Sequence, residues 1–288
     1  MHRFGVLARG ADALEGGSQG SGAWRVPDAL SIAAVADGTL LVFDLATGEV
    51  TTLAQDGRYL GRTGLPLRFP YVNDIVASPR ELLVSGYTST AGQRRLHGVH
   101  RFRRSAAGLA YAGSFGPLPT VRDTLVWRYW GAGDITRGRN GDLIYALNLP
   151  YVIYRYDSAG RQKAVVRAPV RVRGTPDDAF KIERQGRATS ISDAETPPDR
   201  LAMAVETANG LVLVARVTPR RRYWDLFTPA GAYVASREVP REWGTAIGFD
   251  AARNLLWTVA THDDTPVLVR LQIASGAPAP TTPARRSR

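Results

Sequence analysis

Short runs in which apolar and polar residues alternate, each closed by a glycine turn, recur from Leu30 to Gln272. The fullest copies run Pro27 to Asp44, Asn73 to Thr88, Gly133 to Asn148 and Pro198 to Arg216. A period of two marks half-buried strands, and Asp37-Gly38, Asp56-Gly57, Asn209-Gly210 and Ala230-Gly231 supply the hairpin turns. Five units follow from this punctuation: Leu30 to Thr63, Asp74 to Gly113, Asp134 to Arg167, Leu201 to Arg237 and Ala246 to Gln272. Each reads as three or four short antiparallel strands, and repetition at this spacing predicts small sheets arranged around a shared core. Nothing in the chain sustains a helical period, so the expected class is all-β.

Dividing 288 residues by about 48 per unit gives six. Val170 to Ser192 is long enough to hold a degenerate extra unit, so six are expected, with five as the alternative. The last unit has only three strands, whereas Arg3 to Leu7 is an orphan strand at the other end. Pairing Arg3 to Leu7 outside Val267 to Gln272 would bury two edges at once and close the ring. The expected organisation is one domain over 1–273, followed by a Pro- and Arg-rich tail, 274–288, that lacks core-forming residues and is expected to be disordered.

Composition narrows the function classes. The chain carries 37 Lys and Arg against 26 Asp and Glu, a net charge of +11. Lys163 and Lys181 are its two lysines, an arginine bias that a GC-rich coding sequence produces without any partner. The basic clusters Arg103-Arg104, Arg220-Arg221-Arg222 and Arg285-Arg286 sit in separate units without a recognition helix, which argues against nucleic acid as the partner. Zero cysteines exclude disulfides, thiolate metal sites and a cysteine nucleophile. No apolar stretch approaches the roughly 18 residues of a membrane span, and the start FGVLARGADALEG is too often interrupted by charge to read as a signal peptide.

The hairpins GTLLVFDLATGEVTTLAQDGRYLGRTG and GDLIYALNLPYVIYRYDSAGR resemble the repeat of bacterial six-bladed β-propellers of the NHL and TolB-like kind. Phe43-Asp44 with Asp56-Gly57, Tyr156-Asp157 with Gly160, and Phe227 with Gly231 stand where that repeat has an aromatic residue, an aspartate and a glycine turn. The resemblance implies a propeller of four-stranded antiparallel blades, in a group whose members are often exported or periplasmic.

Within such a blade the start of the first strand and the end of the second share one rim. Asp28, Asp74, Asp134 and Asp199 open four units, while Asp44, Thr88, Asn148, Arg216 and His262 close second strands. The four aspartates are therefore expected to converge on one mouth, where they could grip a basic side chain or hold a divalent cation such as calcium. Their plain structural role would be to cap nearby backbone amides as Asx turns. The loop Trp127, Arg128, Tyr129 and Trp130 offers rings for recognition, or equally for wedging neighbouring blades together.

By resemblance, gluconolactonase-like propellers gather an Asn-Asp pair and further oxygen ligands around a catalytic metal, and Asn73-Asp74 with Asn148 is similar to that set. The first expectation is nevertheless a non-catalytic binding scaffold for a protein, peptide or glycan, contacting it through Asp28, Asn73, Asp74, Trp127, Tyr129, Trp130, Asp134, Asn148, Asp199 and His262, with no cofactor. A metal-dependent lactonase or esterase is the alternative. His97 and His100 are three apart on one strand and so face opposite sides. The G-x-S-x-G string at Gly16 to Gly20 lacks the strand-then-helix setting that a nucleophile needs.

Overall fold

A computed structural model describes residues 14–16, 24–26, 29–88, 97–127, 132–170, 172–186, 188–250, 253–262 and 265–273. A two-stranded ribbon of β1 (Leu14–Gly16) and β2 (Trp24–Val26) comes first. Blade 1 is β3 (Ala29–Ala34), β4 (Leu40–Asp44), β5 (Glu49–Leu53) and β6 (Tyr59–Gly64). Blade 2 is β7 (Tyr71–Ser78), β8 (Glu81–Tyr87), β9 (His97–Ser105) and β10 (Gly108–Pro117). Blade 3 is β11 (Gly133–Arg137), β12 (Leu143–Leu147), β13 (Val152–Tyr156) and β14 (Gln162–Arg167). A hairpin of β15 (Phe180–Gln185) and β16 (Ala188–Asp193) intervenes. Blade 4 is β17 (Arg200–Glu206), β18 (Val212–Val217), β19 (Arg222–Phe227) and β20 (Tyr233–Val239). Blade 5 is β21 (Thr245–Asp250), β22 (Leu255–His262) and β23 (Thr265–Gln272). Within each sheet the strands lie in chain order and pair antiparallel.

The turns form where the sequence signals them. At Asp157 to Gly160 the carboxylate accepts the Ala159 and Arg161 amides at 2.9 Å, and Gly160 takes φ +85° to close the hairpin. A left-handed backbone of that kind favours glycine because it has no Cβ to clash.

The first strands adjoin one another in the order β3, β7, β11, β17, β21, and so form the inner layer. Hydrophobic clusters lie between blades rather than within one. Phe43, Val50, Phe69, Leu82 and Phe102 join blades 1 and 2; Leu83, Ile135, Leu143 and Tyr145 join blades 2 and 3. Ile144, Tyr151, Val214 and Phe227 join blades 3 and 4, and Met203, Val205, Leu213 and Leu256 join blades 4 and 5. A second strand is thus sandwiched on both faces. β12 is buried along its whole length, and β8 and β18 over nearly all of theirs. Burial on both faces explains why these strands are near-continuous apolar runs, whereas the outer strand β6 alternates between exposed and half-buried.

The architecture is the expected all-β propeller of four-stranded blades, but with five blades where six were favoured. The stretch expected to hide a sixth became the β15–β16 hairpin, which stands outside the radial series. β11 and β17 are direct neighbours, with the Ala204 amide donating to Asp134 Oδ2 at 2.9 Å. The physical reason is a shortage of apolar surface: only Phe180, Ile182 and Ile191 of the two strands are even half-buried. Such a hairpin cannot fill the space between two blades. It rests on the base cluster Val126, Leu149 and Ala179 instead. The predicted closing strand, Arg3 to Leu7, and the tail, 274–288, lie outside the described residues. Among the described residues no helix is long and apolar enough to cross a membrane.

Candidate functional site: the inner carboxyl pair and the rim cleft

Four first strands carry a β-bulge near their start. One residue is left over in the pairing with the second strand: Leu30 in β3, Asn73 in β7, Ala202 in β17 and Ile247 in β21. β11 pairs with β12 without a break. A bulge re-aims the residues beside it. Here the positions opposite the second strand's end become Ser31, Asp74, Asp134, Met203 and Gly248, facing Phe43, Ser85, Ala146, Ala215 and Trp257.

Three of these positions, Ser31, Asp74 and Asp134, link blades 1 to 4. Ser31 Oγ donates to Asp74 Oδ1 at 3.2 Å and accepts the Ile75 amide at 3.2 Å. Asp134 Oδ2 accepts the Ala204 amide one blade further on. The bulge residue Asn73 accepts the Ala132 and Gly133 amides of blade 3 on one oxygen, and Ser85 Oγ donates to the Gly133 carbonyl. Gly133 is required where it is, because a Cβ would overlap the Ala146 carbonyl.

Asp74 and Asp134 meet across the boundary of blades 2 and 3 and hydrogen-bond to each other. Each keeps some solvent contact but lies deep in the inner layer. Burial first, and the neighbouring Asp134 charge second, hold Asp74 well above the usual carboxylate range. Burial pushes Asp134 up to about 6, against the pull of the Ala204 amide. Two buried carboxyls this close hold a proton between them more tightly than either would alone.

The other expected aspartates do not join them. Asp199 precedes β17 and is engaged with a loop: its Oδ2 accepts the Arg173 amide and its own amide donates to the Arg173 carbonyl, both at 3.0 Å. Asp28, Tyr129 and Trp130 lie outside the described residues, as does the side chain of His262. Trp127 packs on Tyr87, ring centroids 5.4 Å apart, and its indole N–H donates to the Pro119 carbonyl at 2.8 Å. Both contacts are with blade 2 and the segment that leaves it. His97 is exposed and His100 is buried edge-on to Phe69, on opposite faces as the strand period requires.

Asn148 sits elsewhere on the same rim. Its carbonyl accepts the Leu201 amide, and it lines a cleft of ≈ 440 Å³ with Phe180, Pro198, Arg200, Val217 and Thr218. One wall is the base of the β15–β16 hairpin and the other is the β18–β19 turn. The hairpin is held by Asp177, whose carboxylate accepts the Arg122 and Asp123 amides, and by the Arg184–Asp123 ion pair.

Among solved structures, one of a protein from Lactobacillus plantarum is similar over 92% of this chain and 90% of its own, at 12% identity and a TM-score of 0.50. The solved structures similar to this chain are β-propellers. A streptogramin B lyase matches over 85% of this chain and 68% of its own, at 12% identity and a TM-score of 0.47. A gluconolactonase from Xanthomonas campestris matches over 78% and 67%, at 14% identity and a TM-score of 0.46. Identities this low speak for the fold alone. No protein-family model and no curated protein matches the chain.

A divalent ion would need several unspent oxygens together. Among the described residues no three His, Asp or Glu side chains are gathered that way. Asn73 Oδ1 is taken by two amides, and the Asp74–Asp134 pair is tied to Ser31, Ile75 and Ala204.

One polar constellation escaped the sequence reading. Arg216 Nε donates to Asp225 Oδ2 at 2.8 Å, Tyr151 OH donates to the same oxygen at 2.9 Å, and the guanidinium lies 4.2 Å from the Tyr223 ring centroid. The Arg216 side chain is 6% exposed and that of Asp225 0%. The signal was present as an aspartate inside the apolar strand Tyr223 to Phe227, but its partners are supplied by the neighbouring strand and the preceding blade.

Proposed function

We propose that the protein is a non-catalytic binding scaffold whose ligand, a peptide or glycan, occupies the rim cleft between the β15–β16 hairpin and the β18–β19 turn. The observation that carries this reading is the cleft itself. Its volume is within the range of about 300–1,000 Å³ typical of ligand pockets, and it mixes the apolar Phe180, Val217 and Pro198 with the polar Asn148, Arg200 and Thr218. Both walls are braced by hydrogen bonds, so a ligand finds the site already shaped and binding need not pay for ordering it. The inner carboxyl pair supports the non-catalytic part, because its oxygens hold neighbouring blades together.

The test is a thermal-melt screen of short oligosaccharides and proline-bearing peptides, run on the native chain and on Val217→Trp, which fills the cleft. A ligand that raises the native melting temperature and leaves the variant unmoved supports the proposal. Turnover of glucono-δ-lactone with added calcium or zinc, lost in Asp74→Asn, would replace it with the hydrolase reading.

A further inference from the structure

The lip of the cleft is crowded with arginines. Thr218, which lines the cleft, accepts the Arg221 amide on its hydroxyl at 2.9 Å and donates to the Arg221 carbonyl at 3.0 Å. That turn carries Arg220, Arg221 and Arg222 onto the rim. Arg241, from the single 3₁₀ turn Arg241–Trp243 that follows β20, interlocks with them. Its Nη2 donates to the Arg220 carbonyl at 2.9 Å, and its own carbonyl accepts Arg222 Nη1 at 3.0 Å. On the opposite wall Arg173 donates to the Pro197 carbonyl, and Arg200 is part of the lining.

The acids nearby do not balance this charge. Glu238 pairs with Arg221 at 2.9 Å, Asp199 and Asp178 accept backbone amides of the 173–175 segment, and Glu195 pairs with Lys181, which leaves Asp193 on the cleft wall and Glu242 beside Arg241. Among the described residues, no ion pair to Arg220, Arg222 or Arg241 is formed. Burial, and then the Arg241 charge, hold the Arg222 guanidinium below its usual range. Like charges held together without acids are relieved by an anion from outside.

We infer that the cleft and its arginine lip bind an acidic oligosaccharide, a chain of uronic acid residues whose carboxylates meet Arg200, Arg220, Arg222 and Arg241. This rests on the rim-cleft reading and names its ligand class. Guanidinium groups suit carboxylates because two N–H donors match two oxygens. A peptide is disfavoured because a bound strand needs free backbone groups, and those around the cleft are spent: Ala194 N on Ala179 O, Leu201 N on Asn148 O, Thr218 N on Arg221 O. A single-stranded nucleic acid needs open rings for its bases. Phe180 is the one ring in the cleft lining, and of the rings on β19 beside the lip Trp224 packs on Trp243 at 5.4 Å and Tyr223 lies beneath Arg216.

The experiment is calorimetric titration of the full chain with trigalacturonate, with maltotriose as the neutral probe, and with hexaglutamate and a ten-residue oligothymidylate as other polyanions. The expected result is binding of trigalacturonate, no comparable binding of the other three, and about a tenfold loss of affinity for each of Arg222→Gln and Arg241→Gln. Arg161→Gln, on the opposite rim, should change nothing, and Val217→Trp should abolish the signal. Maltotriose binding equally well, lost in Val217→Trp but not in the arginine variants, overturns the anionic ligand and keeps the cleft. Hexaglutamate or oligothymidylate binding as tightly as trigalacturonate overturns it in favour of a general polyanion surface. Binding of trigalacturonate that Val217→Trp leaves intact overturns the cleft reading itself.

Discussion

Asp74 and Asp134, 60 residues apart in sequence, form a hydrogen-bonded carboxyl pair at the boundary of blades 2 and 3. Their other partners tie the pair outward in both directions, to the Ser31 hydroxyl of blade 1 and to the Ala204 amide of blade 4. A side chain that opens a blade is thus part of a belt through four blades.

The pair predicts a pH dependence of stability. Both carboxyls hold their protons more tightly folded than unfolded, where the value is 3.8. The folded state therefore binds more protons above pH 4, so the pair's stabilising contribution is complete below that pH. It is lost as pH rises through the elevated folded values, about 6 for Asp134. Asp74→Asn, which keeps a donor toward Asp134 without a charge, should melt higher than the native chain at pH 8 and converge with it at pH 4. The gap should be about 3 °C for each kcal/mol. Parallel melting curves across that range would remove the shared proton.

Removing Asp225 should be far more costly than removing both charges. Asp225→Ala strands Arg216, whose side chain is 6% exposed, and is expected to cost about 3–5 kcal/mol. The double variant Arg216→Met with Asp225→Leu should recover most of that loss. Denaturant titration of the three proteins checks it.

Asn73→Ala leaves the Ala132 and Gly133 amides without their side-chain acceptor. The expected loss is about 1–3 kcal/mol, with faster hydrogen exchange at the start of β11 than in β12. Unchanged exchange at Ala132 and Gly133 would show that the bulge side chain does not hold the blades.

The fifth blade ends on β23, a strand of eight residues with Leu268 54% exposed. Deleting Met1 to Gly10 should lower the melting temperature by several degrees if Arg3 to Leu7 supplies a fourth strand there. A melt identical to that of the full chain counts against the closure.

Gly160, Gly210 and Gly231, which close turns at positive φ, stand out in the sequence, and so do the strands they connect. The predicted fifth unit and the observed β21 to β23 agree within a few residues, because strand period and turn chemistry act over a handful of neighbouring residues. The candidate site was only partly readable for the opposite reason. Four aspartates precede or open strands at equivalent-looking places, yet the bulge at Asn73 brings Asp74 into line with Asp134. Asp199, two residues ahead of Leu201, stays in the loop with Arg173. A one-residue offset reverses which way a strand residue points.

By itself the chain determined its class, its turns and the bounds of its repeating units, all consequences of local alternation and of glycine at left-handed positions. Tertiary structure alone decided that there are five blades, that Val170 to Ser192 leaves the ring to wall a cleft, and that Arg216 finds Asp225. Each depends on how much apolar surface a segment can bury between neighbours distant in sequence, and that is settled only when the sheets pack.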